Sequence, residues 1–158
     1  MYKNQNDAIK FIKKFKPLVK KARAEIVIAA PFTLLPVLKK QLIKSNIKLA
    51  AQNLFYEKEG AFTGEISARM IKDFADYVII GHSERRICFH EDNELINKKI
   101  KAALAEKLKV IFCLGESFDE RNLAVTFDVV HKQLAEGLDD ISPENLKNIV
   151  IAYEPVWP

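Results

Sequence analysis

Residues 77–86 read YVIIGHSERR: four apolar positions in a row, a glycine, then a histidine, a serine and three charged residues. The apolar run is continuous rather than alternating, which is the pattern of a strand covered on both faces, as in a parallel sheet. Periodicity alone does not separate such a run from a buried helix segment, so its company decides. Four similar runs punctuate the chain: EIVIAA at 25–30, IKLAAQ at 47–52, VIFCLG at 110–115 and IVIAYE at 149–154. Stretches of helical period lie before and between them, through Ala8, Ile12, Phe15 and Val19; Leu35, Leu38 and Leu42; Ile66, Met70 and Phe74; Ile96, Ile100, Ala103 and Leu104; and Leu123, Phe127, Val130 and Leu134. Each is an apolar stripe with Lys and Glu opposite. Thr33 is placed to cap the second helix, and SPEN at 142–145 to open a short extra turn. The predicted order alternates helix and strand five times, and right-handed crossovers make of it an open parallel α/β sheet or part of a barrel.

Composition narrows the function classes. The chain has 158 residues, 49% hydrophobic and 29% charged, the balance of a globular domain. Its formal charge of +4 is spread over pairs such as Lys13-Lys14 and Lys39-Lys40, not gathered into a basic stripe with aromatics, so no nucleic-acid partner is expected. The longest mostly apolar stretch, IVIAAPFTLLPVL, is broken by Pro31, Thr33 and Pro36 and is too short for a bilayer. The N-terminus lacks a signal-type apolar core, which predicts a cytoplasmic chain with no membrane partner. Cys88 and Cys113 have neither metal nor redox spacing and fit reduced thiols. A βα architecture opens on a strand, yet residues 2–6 leave no room for one, so the expectation is a single incomplete domain over 1–158.

Chemistry in such folds gathers at the carboxyl ends of strands. There the sequence places Gln52 and Asn53 with the long segment 54–67, His82 with Ser83, Glu84, Arg85 and Arg86, and Glu154. A histidine and a glutamate on strand ends make a candidate acid–base pair. Plainer readings stand beside each. Glu154 is also read as an ion-pair partner for an arginine, His82 as a core histidine with both nitrogens satisfied, and Glu84, Arg85 and Arg86 as a structural ion-pair cluster. His82, Cys88 and His90 lack a fourth ligand of sensible spacing for a metal. Cys113 and Glu116 read as a buried thiol and a loop carboxylate, not as a nucleophile and its base.

Together AQNLFYEKEGAFTGEIS (51–67), YVIIGHSERR, VIFCLGES (110–117) and AYEPVW (152–157) resemble, in order and spacing, the triosephosphate isomerase family of glycolysis and gluconeogenesis, over essentially the whole chain. The resemblance implies a partial (β/α)8 barrel holding strands 2 to 6. It implies that Glu154 moves a proton between adjacent carbons of dihydroxyacetone phosphate and glyceraldehyde 3-phosphate through an enediolate, while His82 polarises the carbonyl. A neutral histidine beneath a helix N-terminus, beside a glutamate base, is what is known of that family, and it comes with the resemblance and not from the residues alone. No cofactor or metal is implied. By the same likeness Glu84 is a supporting carboxylate of the site, Ser83 lies near the base, Cys113 is a buried cysteine close to it, and Gln52, Thr63, Glu65 and Arg85 belong to a homodimer region. EPVW resembles the hinge of a lid over the triose phosphate substrate.

The family's first strand, with its N-x-K, is expected to end before Met1. The lid beyond Trp157 and the last two strands with their glycine-rich phosphate loops are expected to be missing, and Pro158 stands where a small residue is usual. The five glycines are scattered and build no phosphate cradle. The isolated chain is therefore expected to have negligible activity. Two alternatives remain: a non-catalytic barrel fragment that acts as an assembly or binding partner through the loop around Thr63, and another sugar-phosphate isomerase on the same fold.

Overall fold

Each of the five apolar runs forms a strand in the computed structural model, which describes residues 2–157. The readings that rest on Met1 and Pro158 lie outside the described residues. The elements are α1 (Gln5–Val19), β1 (Ile26–Ala30), α2 (Leu35–Gln41), β2 (Ile47–Ala51), α3 (Ala68–Lys72), β3 (Tyr77–Ile80), α4 (Ser83–Cys88), α5 (Asn93–Ala105), β4 (Lys109–Leu114), α6 (Phe118–Asn122), α7 (Thr126–Gly137), α8 (Pro143–Leu146) and β5 (Ile149–Tyr153). One sheet holds the strands in chain order, all parallel, with Ile26 opposite Ile47, Ala50 opposite Tyr77, Val78 opposite Val110 and Ile111 opposite Val150.

Helices cover one face of the sheet and bury the strand residues that point to it. Val78, Val110 and Phe112 are fully buried on β3 and β4, and Ile96, Ile100 and Ala103 of α5 pack into the same core. Burying each Ile, Val or Phe side chain contributes about 1.5–3 kcal/mol. The helix starts are chemically marked where the chain enters them from loops. Asn4 and Asp7 form a reciprocal capping box on α1, Asp92 accepts from Leu95 N–H at the start of α5, and Ser117 with Glu120 repeats the box on α6.

Three local expectations need correction. Thr33 is not a cap: it lies inside a 3-10 turn (Phe32–Leu34) that leads into α2, whose N-cap position Leu34 makes no side-chain bond. The stripe through Ile66, Met70 and Phe74 supports a helix only over Ala68–Lys72, and Met70 is exposed. The stripe from Leu123 to Leu134 is not one helix face. Ala124 takes a left-handed φ of 57° between α6 and α7, the chain turns there, and Leu123 and Phe127 point to solvent.

Candidate active site

The carboxyl ends of β3, β4 and β5 lie side by side, and the residues just beyond each of them build the site. Gly81 ends β3 with φ 80°, a left-handed conformation that glycine adopts without strain. A Cβ there would stand 2.8 Å from the Cys113 carbonyl, so the close approach of the two strand ends also requires glycine. The next residue, His82, is the N-cap of α4, and its Nδ1 accepts the Glu84 N–H at 3.2 Å. A backbone amide only donates, so Nδ1 bears no proton in that bond and the neutral ring carries its proton on Nε2. His82 is thus set up as a neutral donor, its side chain one-third exposed.

The charged residues after His82 do not pair with one another, contrary to the reading of an ion-pair cluster. The Glu84 side chain is 82% exposed, with Oε2 4.0 Å from His82 Nδ1. Arg85 bonds Glu91 Oε1 through Nε at 2.5 Å and lies over the Phe89 ring. Lys99, buried on α5, reaches the same Glu91 oxygen and also Asn53 Oδ1 at 2.8 Å. Burial holds the Lys99 ammonium below its ordinary value, against the pull of Glu91. Arg86 instead donates to backbone carbonyls of the strand ends.

Glu154 follows β5, and its N–H donates to the Leu114 carbonyl at 2.9 Å. Gly115 makes this possible, because a Cβ at 115 would collide with the Glu154 carbonyl. Gln133 of α7 holds Gly115 from the other side, accepting from its N–H at 2.9 Å and donating to its carbonyl at 3.1 Å. Among the described residues Glu154 makes no ion pair. Burial pushes the Cys113 thiol up to about 11; Glu154 adds to the rise and Arg86 opposes it. At that value Cys113 is no nucleophile near neutrality.

Ser83, Cys113 and Glu154 share one cleft with Gly81, Arg86 and Gly115, of about 10 Å³. That is room for about one water molecule. His82 faces a neighbouring hollow of about 400 Å³ with Gln52, Asn53, Glu84, Arg85 and Phe89. Thr63 and Glu65 are brought to neither; they are exposed on the loop between β2 and α3, whose base closes through Phe55 and Ser67 and where the Phe55 ring lies tilted against Tyr56 and Phe62. Among the described residues no three His, Cys, Asp or Glu side chains gather as metal ligands, and no helix is long and apolar enough to cross a membrane.

Glu116, read from sequence as a loop carboxylate, is fully buried. It accepts from Tyr153 Oη at 2.9 Å and Trp157 Nε1 at 3.2 Å, and lies 3.5 Å from Arg121 Nη1. This ties the segment after Glu154 to the end of β4. Nothing local in the sequence marks Glu116, Gln133 or Glu91 for these tasks.

A family model described as triosephosphate isomerase matches residues 1–158. The triosephosphate isomerase of Dictyoglomus thermophilum is 55% identical over 159 residues, covering 99% of this chain and 64% of that protein. That of Alkaliphilus oremlandii is 47% identical over 158 residues with the same coverage. A crystal structure of triosephosphate isomerase from Bartonella henselae superposes with a TM-score of 0.91 at 34% identity, over 100% of this chain and 66% of that one. The chain thus spans just under two thirds of the length of the relatives it matches. Its five parallel strands and their helices are part of a (β/α)8 barrel.

Proposed function

The chain belongs to the triosephosphate isomerase family, and from that premise we propose that it carries the acid–base centre of an enzyme that interconverts dihydroxyacetone phosphate and glyceraldehyde 3-phosphate. In this reading the Glu154 carboxylate takes a proton from the carbon beside the substrate carbonyl. His82 donates a hydrogen bond from Nε2–H to the carbonyl oxygen as negative charge develops there, and an enediolate forms. His82 gives its Nε2 proton to that oxygen and takes the hydroxyl proton from the neighbouring oxygen, while Glu154 returns its proton to the adjacent carbon, so the two isomers exchange without net gain or loss of protons. The observation that carries the proposal is the bond from Glu84 N–H to His82 Nδ1, which leaves the other ring nitrogen as the donor a developing oxyanion needs.

Isomerisation by this chain alone is expected to be negligible. Binding of the remote phosphate is what orients the reacting carbons, and its loss lowers rate as well as affinity. The complete protein is read as a cytoplasmic homodimer that uses Gln52, Thr63, Glu65 and Arg85. The exposed Phe62 on the same loop favours the second reading, a partner-binding fragment without catalysis. One experiment separates the two. Grafted into a full-length relative in place of the matching segment, this chain should restore turnover, and Glu154→Gln in the graft should lower kcat about 10²- to 10⁴-fold with little change in melting temperature. A graft whose Glu154→Gln variant keeps most of its turnover would overturn the assignment.

A further inference from the structure

One guanidinium joins four elements behind the strand ends. Arg86 of α4 donates from Nε to the Gly81 carbonyl at 2.8 Å, from Nη2 to the Cys113 carbonyl at 3.4 Å, and from Nη1 to Asn93 Oδ1 at 2.6 Å. Asn93, the first residue of α5, donates in turn from Nδ2 to Glu136 Oε2 on α7 at 2.8 Å. Chemistry dictates the orientation of that amide. A guanidinium only donates and a carboxylate only accepts, so an amide between them must turn its oxygen to Arg86 and its nitrogen to Glu136. Half-buried Arg86 is thus linked through one amide to a carboxylate on an outer helix. The two carbonyls it grips belong to the residue before His82 and to the wall of the Glu154 cleft, at the point where a Cβ on Gly81 would touch Cys113.

We propose that Asn93 and Glu136 are positioning residues of the active site, which act through Arg86 to fix Gly81 against Cys113 and so set the spacing of His82 from the Glu154 cleft. The proposal rests on the active-site reading above, but it touches neither substrate nor reacting atoms. The chain of bonds is serial: removing Glu136 frees the Asn93 amide to turn, which takes the acceptor from Arg86, and removing Asn93 severs both links at once. A surface contact without this role would leave Arg86 undisturbed, because Glu136 is half exposed and also faces Lys132 at 4.0 Å.

The test is solvent exchange of the Arg86 Nε–H, together with the His82 ring signals, by NMR on the labelled full chain. Glu136→Ala and Asn93→Ala should each speed that exchange about tenfold, the scale of one lost hydrogen bond to a charged group, and should shift the His82 ring resonances. The double alanine variant should be no faster than Asn93→Ala alone. Asn93→Asp combined with Glu136→Gln should return exchange to about the parent rate, since a carboxylate then faces the guanidinium and an amide donates to it. Glu136→Ala changes an exposed side chain and decides the matter if the Asn93 variants do not fold. Exchange unchanged in Glu136→Ala, or faster exchange with unmoved His82 signals, would overturn the proposal. The readout needs no turnover, so a failed isomerase graft would leave it standing.

Discussion

Glu116 is fully buried, and burial alone would favour its neutral form, but the bonds around it outweigh that. Its own backbone N–H, Tyr153 Oη, Trp157 Nε1 and the Arg121 charge hold the carboxyl below its ordinary value of 4.5. A carboxyl depressed on folding contributes stability that is present above its unfolded value and is lost as pH falls through the folded one. The loss should be visible optically, because Trp157 is the chain's one tryptophan. Acidification below about pH 4.5 should shift its emission to longer wavelength, and Glu116→Ala should show the shifted spectrum already at neutral pH. Emission that stays fixed in both cases would mean that Glu116 does not hold the indole. Sequence alone placed His82 and Glu154 just beyond strand ends, since a strand end is a local feature of the chain. It did not reveal what Glu116 does, because its partners Tyr153 and Trp157 lie 37 and 41 positions away. The same separation hid the Asn93–Glu136 contact, which spans 43 positions.

At the scale of elements, strands were legible to within a residue or two because each run is continuously apolar, although helices cover only the face that carries Val78, Val110 and Phe112. Helices were legible only where an apolar stripe meets the sheet. The α5 stripe does, with Ile96 and Ile100 fully buried, whereas the stripe through Leu123 and Phe127 crosses the turn at Ala124, so these two are exposed and only Val130 and Leu134 pack against the core. Helical spacing in a sequence shows that residues would share a face if the helix were unbroken. It does not show that the face has a partner. The two cases should separate on denaturation. Ile100→Ala should lower stability by about 2–5 kcal/mol through lost burial and a residual cavity. Phe127→Ser should stay within about 0.5 kcal/mol of the parent. Urea titration of both variants checks this, and equal losses would show that Phe127 is buried after all.

Over the whole of the described residues, the sheet is open at both sides. Among the described residues the outer edges of β1 and β5 have no strand beside them, and β5 exposes Val150, Ile151 and Tyr153 on its way to Glu154. Unpaired parallel edges flanked by apolar side chains invite pairing between molecules. Sedimentation velocity should therefore show association that grows with protein concentration, and Ile151→Lys, which puts a charge on the β5 edge, should reduce it. A parent chain that remains a monomer over the whole concentration range would refute this. Chain order and spatial order coincide here, each strand pairing only with the one made just before it and the one made just after. A ribosome could thus lay these five strands down as it reads the message, every newly emerged one finding its template already in place.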